Sequence, residues 1–253
     1  MNLLTASGSL WLREIVRFFR QPNRVVGAIG TPLLFWFVIG SGVGDSLQTG
    51  DENYLNFMFP GILLMILLFT AIFANISIIQ DRREGFMQSV LVAPVSRLAI
   101  VLGKVLGGTS LAFLQCLLLL AFLPLLGIKP SMGSLAGLLG VLAITGIAMT
   151  ALGFLLAWRM QSIQGFHAIM NLLLLPMWVL SGALFSMETA APWIRALMKA
   201  NPFSYALDAF RYFMGAEASM PIATSLSVIT LTAVVLIFLS VLLVHRPTKA
   251  IEG

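Results

Sequence analysis

The 253-residue sequence is poor in charge: charged residues make up 10% of it, against about 25% in a soluble domain that must clothe its surface. Hydrophobic residues reach 59%, and the apolar runs lack the polar stripe that a soluble helical core requires. The single cysteine, Cys116, lies inside one such run, which excludes an intrachain disulfide and reads as a core residue. His167 and His245 lie far apart and no HExxH or CxxC pattern occurs, so no metal site is indicated. A phosphate-cradling Gly-x-x-x-x-Gly-Lys-Ser/Thr loop is also missing, since Gly103-Lys104 is followed by Val105. Any ATP hydrolysis therefore falls to another protein.

What is present is length without charge. Uncharged runs cover 25–44, 53–80, 105–128, 130–158, 160–187 and 218–244. Each holds at least 20 residues, and about 20 residues at 1.5 Å rise cross a hydrocarbon core of about 30 Å. The runs show no period-2 alternation, and a backbone in lipid must satisfy its own hydrogen bonds, so an all-α polytopic membrane protein with six transmembrane helices is expected. Eleven of the fifteen Lys and Arg residues fall on the side of both termini and four on the other (Lys129, Arg195, Lys199 and Arg211), which places both termini in the cytoplasm. The net charge of +5 thus describes topology, and no nucleic-acid partner is implied. No Asp, Glu, Lys or Arg interrupts the six runs. Without an intramembrane carboxylate beside it, His167 reads as an interfacial histidine in preference to a proton relay.

Two charged segments flank these runs. In residues 1–24, Leu12, Ile15, Val16 and Phe19 share one helical face while Arg13, Arg17, Arg20 and Arg24 share another, the pattern of a helix lying in the cytoplasmic interface and ended by Gln21-Pro22-Asn23. A charged anchor that only fixes topology fits equally. In residues 81–104, Arg82, Arg83, Glu84 and Gly85 precede Met87, Gln88, Val90 and Leu91, and Pro94 breaks the pattern. A short helix with a charged start and an apolar stripe is suited to a groove on a partner, although a solvated loop would also account for the arginines.

The segment Arg83-Glu84-Gly85, eight residues, Pro94-Val95-Ser96-Arg97, five residues, Gly103-Lys104 resembles the corresponding stretch of the permease subunit of type-2 ABC exporters. Asn201-Pro202-Phe203-Ser204-Tyr205 with Asp208 and Arg211 resembles that family's second motif. One position departs: Gln88 stands where many members carry glutamate. The resemblance covers the whole of 1–253 as one transmembrane domain. It implies an interfacial helix (1–24), spans one and two (25–80), a coupling segment (81–104) that fits a cleft on the ATPase, spans three to five (105–187), a re-entrant helix pair (188–217) and span six (218–244). It also implies two copies of a cytoplasmic ABC ATPase, which bind the ATP and Mg that this chain does not, and a second permease copy or paralogue, all in a bacterial-type inner membrane among its lipids.

On that view Thr31, Trp36, Asn56, Phe59, Asn75 and Asn171 are the groups available to line a pathway, although helix packing is their more ordinary use. Gly103 with Gly107 and Gly133 with Gly137 are small-residue pairs suited to close helix approach. The expected function is export of an amphiphile, drug-like or lipid. A polysaccharide or lipid-linked saccharide is the alternative cargo. A polytopic membrane enzyme or scaffold is the alternative class, for which clustered carboxylates, histidines or serines at one membrane face would be needed.

Overall fold

Apolar length converts into long helices. The computed structural model describes residues 2–43 and 54–245, which are helical with no strand. Gly44, Asn53, Arg246 and Lys249, used above to bound spans or to orient them, lie outside the described residues. Helices α1 (Leu3–Phe19) and α2 (Pro22–Val43) are separated by a break at Arg20 and Gln21, with Pro22 opening α2 where its missing N–H costs nothing. Then come α3 (Tyr54–Arg83), the short α4 (Phe86–Val92), α5 (Arg97–Leu120), a 3-10 turn (Leu123–Leu126), α6 (Met132–Arg159) and α7 (Ile163–Trp178) running into a π turn (Val179–Ala183). The short α8 (Pro192–Ala200) and α9 (Pro202–Met214) precede α10 (Ile222–His245).

Among the described residues five helices are long and apolar enough to cross a membrane: α3, α5, α6, α7 with its π turn, and α10. The apolar part of α2, Val25–Val38, is shorter. At 30 residues α3 is the axis of the molecule, and 22 of its residues are buried. It packs on α5 and α6, while α7 and α10 stand at the periphery. In α7 only Phe166, Met170, Leu174 and Trp178 are buried, one residue per turn, and the rest of its surface faces outward.

Ser side chains fix the starts of three long helices: Ser96 accepts from Ala99 N, Ser131 from Ser134 N and Ser162 from Gly165 N. Three of the four paired glycines are used inside the chain. A Cβ at Gly103 would lie 2.6 Å from Leu10 Cβ and one at Gly107 2.7 Å from Glu14 Cβ, so these two seat α1, while Gly137 lies under the Phe213 ring. Leu10 faces Gly103, Glu14 faces Gly107, and Phe18 clusters with Leu111. This constant offset means that α1 runs alongside α5 in the same direction for about two turns. The helix expected in the interface therefore packs along the first turns of α5.

Candidate functional site

Two groups of polar side chains stand out, one at the α4 end of the molecule and one at the α9 end. At the α4 end, the buried stripe of α1 is Ser7, Leu10, Glu14 and Phe18, and it brings Glu14 against α5 beside Lys104. Lys104 Nζ donates to Glu14 Oε1 at 2.5 Å, Asp81 Oδ2 at 2.5 Å and Ser77 Oγ at 3.1 Å. The Asp81 carboxylate, fully buried near the end of α3, also accepts two bonds from Arg13, at 2.9 and 2.7 Å, and one from Arg17 at 2.5 Å. Burial works against the charge of Arg13, but the hydrogen bond and attraction from Asp81 outweigh it and raise its pKa, so the guanidinium stays charged. Arg17 reaches on to Gln80 and to the exposed Glu84. Arg20 and Phe19 are exposed. Leu12, Val16 and Phe19 form the outward apolar face of α1, and Arg13 and Arg17 turn inward to close the cluster.

The segment 81–104 is divided by this arrangement. Arg82 donates to the carbonyls of Trp158 and Met160, and Arg83 to that of Gln161. Arg82 thus satisfies open carbonyls at the C-terminus of α6, where a cation is favoured, and Arg83 holds the loop that follows it. Gly85, at φ 75°, makes the left-handed turn that separates α4 from α3. Met87 is buried in the main core, with Val90 and Leu91 packed against it. The apolar stripe that suggested a partner groove is thus partnered within the chain. What α4 presents outward is Gln88, Ser89 and Val92, the last 88% exposed, followed by the exposed Pro94. Arg13 stacks over the Phe86 ring at 3.8 Å, joining α1 to α4. Beside this contact Ala6, Ser9, Leu10, Ser89, Val90, Ala93 and Val95 line a largely apolar cavity of about 230 Å³.

At the α9 end the second motif captures backbone released by a helix break. The π turn following α7, with Gly182 at φ 96°, leaves carbonyls without helical partners. Asn201 Nδ2 donates to Met177 O at 2.6 Å, Ser204 Oγ to Leu180 O at 3.1 Å and Arg211 to Gly182 O at 2.7 Å. Asn201 Oδ1 also caps α9 at Phe203 N, with Pro202 at the first helical position. Tyr205 donates to Lys199 O, and Arg211 lies over the Phe57 ring at 4.4 Å. Asp208 accepts from Ser219 N at 2.7 Å and Met220 N at 3.0 Å, fixing the entry to α10. Burial lifts the Asp208 carboxyl above its ordinary range, more than those two N–H groups and nearby Arg211 draw it down.

Of the six groups expected along a pathway, the structure brings the rings of Trp36 and Phe59 together at 5.4 Å, and the other four bond or face elsewhere. Phe59 and Asn75 are buried, the latter bonded to Ala71 O and Thr150 O. Trp36 donates to Leu55 O and Asn56 to Leu126 O. Thr31 is half-buried on α2 and Asn171 is exposed on α7. Sequence reasoning did not single out Glu14, and it assigned Asp81 and Lys104 to a cytoplasmic connection. The available signal was a lone Glu among the N-terminal arginines, on the same helical face as Ser7 and Leu10.

Comparison with known proteins agrees with the two motifs. A permease of a daunorubicin-resistance ABC transporter, DrrB1 of Streptomyces coeruleorubidus, is 24% identical over 216 residues, covering 83% of this chain and 74% of the relative. Nodulation protein J of Neorhizobium galegae is 24% identical over 252 residues, covering 94% and 92%. The transport permease ycf38 of Cyanophora paradoxa is 27% identical over 205 residues, covering 79% and 71%. The sequence pattern of the ABC-2 type transporters matches residues 5–214. The chain therefore belongs to the ABC-2 type transporter family, a family of membrane permeases that work with an ABC ATPase.

Proposed function

We propose that the chain is the membrane-spanning permease subunit of an ATP-driven exporter that moves a drug-like or lipid amphiphile out of the cytoplasm or inner leaflet. Two copies of a separate cytoplasmic ATPase bind ATP and Mg, and this subunit performs no chemistry on its cargo. In this reading α2 is the first of six spans, both termini face the cytoplasm of a bacterial-type inner membrane, and α8 with α9 forms the re-entrant pair in the outer leaflet. A second permease copy completes the assembly.

The observation that carries the reading is α4. It hangs from α3 on the left-handed Gly85, is anchored inward by Met87, and turns Gln88 and Val92 outward at the charge-rich end. That is a small lever with one face fixed to the membrane domain and one free for a soluble partner. The drug-resistance permease among the relatives favours an amphiphile as cargo. The sparse polar surface of α2 and α7 agrees, since aromatics and single amides offer contact without a ring of charge.

The test is affinity purification of the tagged chain from its native membrane in mild detergent, with mass identification of co-purifying soluble proteins. An ATPase carrying Gly-x-x-x-x-Gly-Lys-Ser/Thr is expected, and replacing Glu84 or Gly85 with a bulky residue should release it while the chain still inserts. An ATPase retained by both variants would remove α4 as the docking element. Repeated recovery of the chain alone would overturn the exporter reading.

A further inference from the structure

We infer that Lys104 is a positioning residue for transport: it ties α5 to α4 through the relay Phe86, Arg13, Asp81 and Lys104, so that α1, α4 and the near ends of α3 and α5 move as one body. The inference rests on α4 receiving the stroke of the ATPase. The covalent links at either end of α4 are poor transmitters. On one side is Gly85 at φ 75° with open space around its Cα, and on the other the turn through Ala93 to Ser96. Through those two turns alone α4 could swing without moving the helices it joins; beyond them, Met87 seats it in the core and the charged relay ties it to α1 and α5.

The side chains supply the stiffness that the backbone lacks. Arg13 stacks on Phe86 of α4 and holds Asp81 of α3 with two hydrogen bonds. Lys104 of α5 binds Asp81, Ser77 and, on α1, Glu14. Lys104 is 3% exposed, Asp81 fully buried and Glu14 5% exposed. Charges so buried are costly, and a well-packed apolar set would hold the helices at least as firmly. Stability alone therefore does not account for them. A directional relay does, because Lys104 and Asp81 each have fixed partners on two other helices and Glu14 has one on α5, and these are lost if one helix moves alone.

The experiment uses the full chain in complex with its co-purifying ATPase, with Cys116→Ala to remove the native thiol. One spin-label pair at Leu4 and Leu114, both exposed, reports α1 against α5. A second pair at Val92 and Leu242, also exposed, reports α4 against α10. Both are measured without nucleotide and with ATP plus vanadate. The expected result is a shift in the second pair and an unchanged distance in the first. Lys104→Met should make the first pair depend on nucleotide and reduce the fraction of α5 that follows α4 roughly tenfold. Should that variant misfold, Glu14→Gln with Lys104→Met leaves no unpaired charge and should give the same uncoupling with the ATPase still bound. Lys104→Arg, which keeps the charge, should restore coupling. A first pair that already shifts in the unsubstituted chain, or a Glu14→Gln/Lys104→Met chain indistinguishable from it, overturns the relay. A second pair that never shifts overturns the coupling role of α4, and the relay with it.

Discussion

Asp208 shows how one carboxylate can organise a chain end. It sits on α9, binds the backbone N–H groups of Ser219 and Met220, and so places the start of α10. Because burial raises its pKa, the folded protein holds this proton at pH values where the unfolded chain has released it. Stability from this group is then greatest below the ordinary carboxylate value of about 3.9 and declines as pH rises through the folded value. Thermal melts of the purified chain between pH 4 and 7 should show this decline, and Asp208→Asn should flatten it while lowering Tm by a few degrees throughout through the lost acceptor. An identical pH slope in both proteins would sink the assignment. At the other end, Asp81 and Lys104 carry the opposite lesson. Each ends an uncharged run, so each looks like a boundary in the sequence, yet both are inside helices and buried because they neutralise one another.

At the scale of the element, α1 depends on the absence of side chains on its neighbour. Ser7, Leu10 and Glu14 approach α5 only because positions 103 and 107 lack a Cβ. Gly103→Val should push α1 off α5 at a cost of about 1–3 kcal/mol, the usual range for overpacking a close contact. The measurements are a lower Tm in detergent and faster trypsin cleavage at Arg13 and Arg17, which the displaced helix would expose. Unchanged cleavage would mean that α1 is held by its ionic contacts alone. The break in α7 is likewise an element decided by its neighbours. Asn201, Ser204 and Arg211 take up three carbonyls there, and Gly61 of α3 comes so close that an added Cβ would lie 2.8 Å from Ala183 Cβ. The second motif is a clamp on that break, a role its residue types alone did not reveal.

Taken whole, the molecule is unevenly covered. The most apolar windows of α7 and α10 are each only 22% buried, against 83% for α3. For α10, whose outward face carries Leu231, Val234, Phe238 and Leu242, lipid is sufficient cover. The α7 face adds Asn171 to Leu172, Leu173 and Leu175, and a polar amide there fits the second copy proposed above. Leu172→Cys in a Cys116→Ala chain should therefore cross-link into a species of doubled mass when membranes are oxidised, with Leu239→Cys on α10 remaining monomeric. Equal cross-linking at both positions would argue for random collision in the bilayer.

By itself the sequence determined that this is an all-helical membrane chain, where its apolar runs lie, and the breaks at Pro22 and Pro94 that bound two of its helices. Those features follow from local physics: apolar length, the fixed φ of proline and the demand that a backbone in lipid bond to itself. Only the tertiary structure decided which charges are paired, that Met87 faces the core, that the Gly103 and Gly107 pair receives α1, and that Phe59 and Asn75 are buried within this chain. Each of these depends on which helix lies opposite, and periodicity along one helix carries no record of its neighbour.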